Sequence, residues 1–427
     1  MDEQTRFAKL SPQVARQAID SLMSGEPPPI DLVDLMSVSL ERDLRTFSRE
    51  YFNENSFIVS DETQGSTFKI VEAYYGGGKT HYLRAVQSLA HKQGFVSAFV
   101  GLRKTECPLT RFDKIYTSVT ESLVPPSLPD ERKQHGLSAV LQGWVSRITE
   151  GSEDPIQTTE EQVDRIGDLP LMSIKVAVRM AAVAIAANDP QGLEEILVYL
   201  TSGRISPSVR KHGVLEKIDA TNGSVALRSL ATLVKKLGHS GLVLILDEGD
   251  RSLSIASTKE RKTASNNLVQ LINETASAEA WPSTILLYSI PSWQSFHDAF
   301  ADNQALIQRV EQTGFPSIPP APRIVLDERE KSDEARVEFC CALGKRLEGL
   351  FRVVYGDDAP GSEVSEATAV NVAQHVIEFQ VESTFRRLFV QSYLAALYRV
   401  MDNGQLSESD ARALVEHRAD DIAKSGN

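Results

Sequence analysis

Residues 67–80 read TFKIVEAYYGGGKT, an apolar run that breaks into three glycines and then Lys79-Thr80. Residues 67–73 carry the pattern of a buried β-strand. The glycines remove every Cβ from a turn in which backbone N–H groups have to converge. Residues 80–93 place Leu83, Val86, Leu89 and Ala90 at the spacing of one helix face, and Gly94 stops the helix. Strand, glycine turn and helix together suit a phosphate, because the helix N-terminus adds partial positive charge where the backbone donors point. Tyr75, Gly76, Gly77, Gly78, Lys79, Thr80 and His81 form the expected nucleotide-binding set. Lys79 is expected to reach the β- and γ-phosphates of ATP and the Thr80 hydroxyl to ligate Mg2+. His81 reads as a helix-surface residue beside the nucleotide rather than a catalytic base. Ala73 stands where the phosphate-loop pattern has its first glycine, so the turn into the loop is expected to differ in shape.

Working outward, residues 95–100 form the next strand, which makes the start of an α/β parallel sheet. Residues 242–246 (LVLIL) are a fully apolar strand that ends in Asp247-Glu248. A hydrolytic site needs two such acids: Asp247 to hold the magnesium water shell, and Glu248 to orient and deprotonate the attacking water. A further strand at residues 284–288 ends where Tyr288 or Ser289 offers a hydroxyl to that water or to the γ-phosphate. Two arginines lie where positive charge could meet the γ-phosphate, Arg309 from a neighbouring subunit and Arg386 from within the chain.

The rest of the chain sets the frame. At 427 residues it is too long for one compact core. Residues 1–50 read as an N-terminal helical segment, and 51–325 as a nucleotide-binding α/β domain with a helical insertion at about 110–235. Residues 326–427 read as an all-α C-terminal lid. Cys107, Cys340 and Cys341 lack metal-ligand spacing, and the start of the chain has no apolar leader, which suits a cytoplasmic protein. No run of apolar residues is long enough to span a membrane. A net charge of −13 works against non-specific binding to nucleic acid, and Arg204, Arg210, Lys211 and Lys217 have no interleaved aromatics.

The order of these features resembles that of an AAA+ ATPase. Within that class the chain resembles the ATP-binding proteins of bacteriophage-exclusion (BREX) and phage-growth-limitation defence systems. The resemblance is carried by residues 17–25 (QAIDSLMSG), 74–83 (YYGGGKTHYL), 94–100 with 112–116 (FDKIY), 238–248 (GHSGLVLILDE) and 384–389 (TFRRLF). It implies a nucleotide-binding domain like that of origin-recognition-type initiators followed by a helical lid. It also implies that Ser289 is a first sensor, Arg309 a finger and Arg386 a lid sensor. An ATP-driven switch that docks to other defence-system proteins, as a homo-oligomer sharing sites through Arg309, is the reading this favours. A non-hydrolytic ATP-gated scaffold and a DNA-loading initiator-like ATPase are the alternatives. The stretch after residue 407 leaves little room for a winged-helix reader, so direct contact with DNA is expected to be weak or indirect.

Overall fold

A computed structural model describes residues 7–56, 58–60, 64–126, 135–247, 257–276, 280–311, 321–327, 329–379 and 385–425. Among the described residues six strands make one sheet: β1 (Ser66–Glu72), β2 (Phe95–Gly101), β3 (Leu123–Val124), β4 (Gly241–Asp247), β5 (Thr284–Ile290) and β6 (Arg323–Val325). Their spatial order is β3-β2-β4-β5-β1-β6, and all pairs are parallel except that of β3 with β2. β4 and β5 are buried at every position, which is why they read as unbroken apolar runs. A strand covered on both faces has no solvent side to make polar. Strand β3 was not foreseen. It falls inside the stretch read as a helical insertion, and its pairing with Ser97 and Ala98 is imposed by tertiary contact rather than by local pattern.

The two faces of the sheet are covered by different parts of the chain. Ile70, Val96, Leu242, Leu244, Leu246 and Tyr288 face a core that includes Leu141, Trp144 and Leu227 from the helices between β2 and β4. Those helices are Phe112–Ser122, Leu137–Ile148, Pro155–Arg165, Met172–Ala186, Pro190–Ser202, Pro207–Lys211 and Gly223–Lys236. Three of them begin with the same device. Asp154, Asp189 and Ser206 each accept a hydrogen bond from a first-turn N–H, and a proline follows where no donor is needed. On the opposite face, Val71, Val243, Ile245, Ile285 and Leu287 pack with Phe47, Phe52, Tyr82, Leu83 and Val86. The alternation of partners along β1, β4 and β5 is the two-residue period of a strand.

Beyond β6 the described chain is helical: Asp333–Tyr355, Ser362–Glu378, Phe385–Asn403 and Glu408–Ser425. These helices do not close their core alone. Ala15, Ile19 and Leu22 from Pro12–Met23, with Leu32 and Leu35 from Ile30–Met36, join Leu347, Phe351, Phe389 and Leu397 in one apolar cluster. The Gln391 amide also donates to the Met23 carbonyl at 2.9 Å. Cys340 lies in this core, while Cys341 is only half-buried. No helix of the described residues is long and apolar enough to cross a membrane.

Candidate functional site

Strand register brings the site together. Val71 of β1 lies opposite Ser289 of β5, and Leu246 of β4 lies opposite Tyr288, so β1, β5 and β4 end side by side. Whatever follows each strand therefore shares one edge of the sheet, where open α/β sheets bind ligands. After β1 the chain turns through Gly76 (φ 78°) and Gly78 (φ 89°) into the helix Lys79–Lys92. Those φ values are ones that only glycine adopts without strain. Ala73, by contrast, stays outside the positive-φ region and is fully buried, so alanine at this position costs the loop nothing. Gly77 has a different reason to be glycine: a Cβ there would sit 2.7 Å from the Asp327 carboxylate and 2.9 Å from the Ala73 methyl. The Lys79 ammonium folds back into the loop, donating to the Ala73 carbonyl and, at 3.1 Å, to the Tyr74 carbonyl.

Three of the expected residues meet at one carboxylate. The Thr80 hydroxyl donates to Asp247 at 3.3 Å, and the Ser289 hydroxyl donates to the other oxygen of the same group. Asp247 is only 5% exposed, so the cluster sits inside the cleft rather than on its rim. Of the two hydroxyls open from sequence, the Tyr288 ring goes the other way, packing against Phe68 and Phe296. Glu248 lies outside the described residues.

The loop is closed from above by Arg386, on the first turn of Phe385–Asn403. Its guanidinium donates to the Gly77 carbonyl at 3.0 Å, pairs with Glu330 and approaches Asp327 at 3.7 Å. Asp327 in turn accepts the Tyr74 N–H at 2.8 Å. Burial raises the Asp327 pKa above the usual carboxylate value, opposed by that N–H, by Arg386 and by Lys79. Loop, Asp247 and Arg386 line a single cleft of about 640 Å³ that also takes in Gly25, Pro28, Val38, Ser39, Phe339 and Leu343.

A family model for the BREX system ATP-binding protein BrxC/D matches residues 10–414, nearly the whole of the chain. The chain belongs to the BrxC/D family. No curated protein and no solved structure matches it. Family membership accounts for nucleotide binding and ties this BrxC/D protein to the other components of a BREX system.

In the BrxC/D chain one site reading needs revision. His81 is half-buried on the cleft wall rather than fully on the helix surface: its Nε2 lies 3.1 Å from the Ser37 hydroxyl, which itself donates to the Val33 carbonyl. Burial, with Arg386 nearby, pushes the His81 pKa down to about 4 against the opposing pull of Asp34. The ring is therefore neutral at physiological pH and works as a strut between the helices Ile30–Met36 and Lys79–Lys92. Arg309 stands apart from the cleft. It is exposed on Gln304–Val310, donating to the Asn273 side chain at 2.9 Å and to the Ala305 carbonyl at 2.8 Å.

Asp327 and Glu330 were missed from the BrxC/D sequence, where residues 327–330 read DERE and resemble a solvated charge run. Arg329 and Asp43 were missed for the same reason; they pair with each other beneath Tyr82, whose hydroxyl donates to Asp43 at 2.9 Å. Glu330 is 7% exposed in the BrxC/D chain, so removing its charge leaves Arg386 buried without its main counter-ion. Glu330→Ala is expected to lower the unfolding free energy by about 3 kcal/mol. A urea titration followed by circular dichroism checks this, and a loss under about 0.5 kcal/mol, the range of ordinary surface changes, would contradict it.

Proposed function

We propose that this protein is an AAA+ ATPase that binds ATP with Mg2+ at the glycine loop and uses turnover as a switch within a phage-defence complex. The observation that carries the proposal is the meeting of Lys79, Thr80, Asp247 and Ser289 at the adjoining ends of β1, β4 and β5. The donor set suits the cation. Among the described residues no group of three or more His, Cys, Asp or Glu could hold a metal. A hard ion completed by phosphate oxygens and water needs only Thr80 and Asp247 from the protein. Bound there, Mg2+ would neutralise charge on the β- and γ-phosphates.

The residues around that position have separable tasks in this reading. Lys79 exchanges its two backbone carbonyls for phosphate oxygens. Ser289 holds Asp247 in place and faces the attacking water, and Glu248 takes the water's proton. The β5 strand inserted between β1 and β4 supports the AAA+ assignment, because it carries this hydroxyl into the space between loop and acid. The helices after β6 act as the lid, and Arg386 couples them to the loop through Gly77. The apolar walls at Val38, Phe339 and Leu343 suit the adenine ring. Closure and opening of the lid would present different faces to other BREX proteins in the ATP and ADP states, and only such a difference can drive a switch.

Lys79→Ala tests the proposal. Losing a charge-assisted contact to the phosphates is expected to weaken ATP binding by about 2–3 kcal/mol, or 30- to 150-fold. Fluorescent-nucleotide titration of parent and variant, with folding checked by circular dichroism, reads this directly. A folded variant with parental affinity would move the nucleotide to another site.

A further inference from the structure

We infer that Arg387, the neighbour of Arg386, is the residue that distinguishes ATP from ADP by contacting the terminal phosphate. The inference rests on the nucleotide reading above and deepens it.

The charges around the cleft are unequally spent. Of the other arginines that line it, Arg103 is paired with Glu106, Arg329 with Asp43, and Arg386 with Glu330 and Asp327, while Arg84 donates to Gln87 and feels the charge of Asp247. An anion that engaged Arg386 would have to compete with two carboxylates already in contact. Arg387 is in a different state: among the described residues no carboxylate pairs with it. Its Nη1 donates to the Tyr75 hydroxyl at 2.8 Å, and its guanidinium lies 5.5 Å from the centre of the Tyr75 ring. Its Nε is buried with no hydrogen-bond partner. A guanidinium offers five N–H donors, so this one has capacity to spare.

Its position is equally specific. Arg387, Tyr75 and Lys79 line the same cleft. The Lys79 ammonium rests on the Tyr74 carbonyl, one residue from Tyr75, and it is the group that meets the β- and γ-phosphates. The Tyr75 side of the loop is thus the terminal-phosphate side. On the far side of Arg387 stands Gly25, with φ 83°, and a Cβ there would run into the guanidinium. The arginine is thus seated against the N-terminal turn and leans on a neutral phenol. Exchanging that phenol for a phosphate oxygen is favourable, since an arginine–phosphate pair adds the attraction of opposite charges and a bidentate geometry that a neutral hydroxyl does not offer. ADP carries no oxygen at that place, so the exchange is open to the triphosphate alone. Tyr75 is 48% exposed and is free to swing aside.

The test is a comparison of affinities in the full chain, using Mg2+ with a non-hydrolysable ATP analogue and, separately, with ADP. Arg387→Ala is expected to weaken the ATP analogue by roughly tenfold or more while leaving ADP affinity within about twofold of the parent. Arg387→Lys, which keeps charge and bulk, is expected to give a smaller loss in the same direction and covers the case in which alanine disturbs folding. An unchanged ratio of ATP to ADP affinity in both Arg387 variants overturns the assignment of Arg387. A parent protein that binds neither nucleotide overturns the phosphate-loop reading itself.

Discussion

An Arg309→Ala protein is expected to fold and bind ATP like the parent, yet to turn ATP over about 10³-fold more slowly or worse. Arg309 is exposed, bonded only through Asn273 and the Ala305 carbonyl of its own helix among the described contacts, and outside the lining of the nucleotide cleft. Surface contacts of that kind contribute little to stability, which separates folding from activity in this variant. An arginine accelerates phosphoryl transfer only when it reaches the charge that develops on the γ-phosphate. From its place on Gln304–Val310 it would do so on the nucleotide of a neighbouring copy. Two measurements follow from that geometry: specific activity should rise with protein concentration, and mixing Arg309→Ala with Lys79→Ala should recover part of the lost turnover. Each mixed interface could then hold one intact loop and one intact arginine. Parental turnover in the single variant would leave Arg309 as an ordinary surface residue.

The second large effect concerns Glu248. Glu248→Gln is expected to retain ATP while slowing hydrolysis by about 10²-fold or more, because an amide cannot take the proton of the attacking water. Asp247, immediately before it, keeps its hydrogen bonds from Thr80 and Ser289 in the variant, so the proposed magnesium position is expected to be undisturbed. Single-turnover measurement with radiolabelled ATP separates the two steps, since binding and cleavage are read in the same experiment. Hydrolysis at the parental rate would place the base elsewhere and favour a scaffold that binds ATP without consuming it.

What the sequence made legible is what local pattern controls. Successive glycines before Lys79 announce a backbone that must turn with positive φ, and two of the three glycines do so. β4 and β5 announce themselves because burial on both faces leaves no room for polar alternation. Asp247 could be assigned from its place at the end of such a strand. The surroundings of Arg386 could not. Glu330 lies 56 residues before it in the chain, in a charged run whose local pattern is that of a solvated loop. Ser37 and His81 meet across 44 residues. Periodicity states which side of an element is buried, but which charges then face each other is decided by how the elements are stacked. β3 belongs with these cases, being two residues whose strand character exists only because β2 offers an edge.

The joining of Pro12–Met23 to the last helices has a consequence for how the protein is made. A core that needs residues near 20 and residues near 390 cannot close while synthesis is still in progress at the sheet. Contacts of such separation are costly in chain entropy and form late. The strands and the helices between β2 and β4 can pack as they emerge from the ribosome. Ala15, Ile19 and Leu22 must wait, with their apolar face uncovered, for Phe389 and Leu397 to appear. Only then does Gln391 reach Met23 and Arg387 settle against Gly25. The cleft is thereby withheld until Phe385–Asn403 has been made, so a product truncated before that helix carries the glycine loop without the walls that complete the cleft.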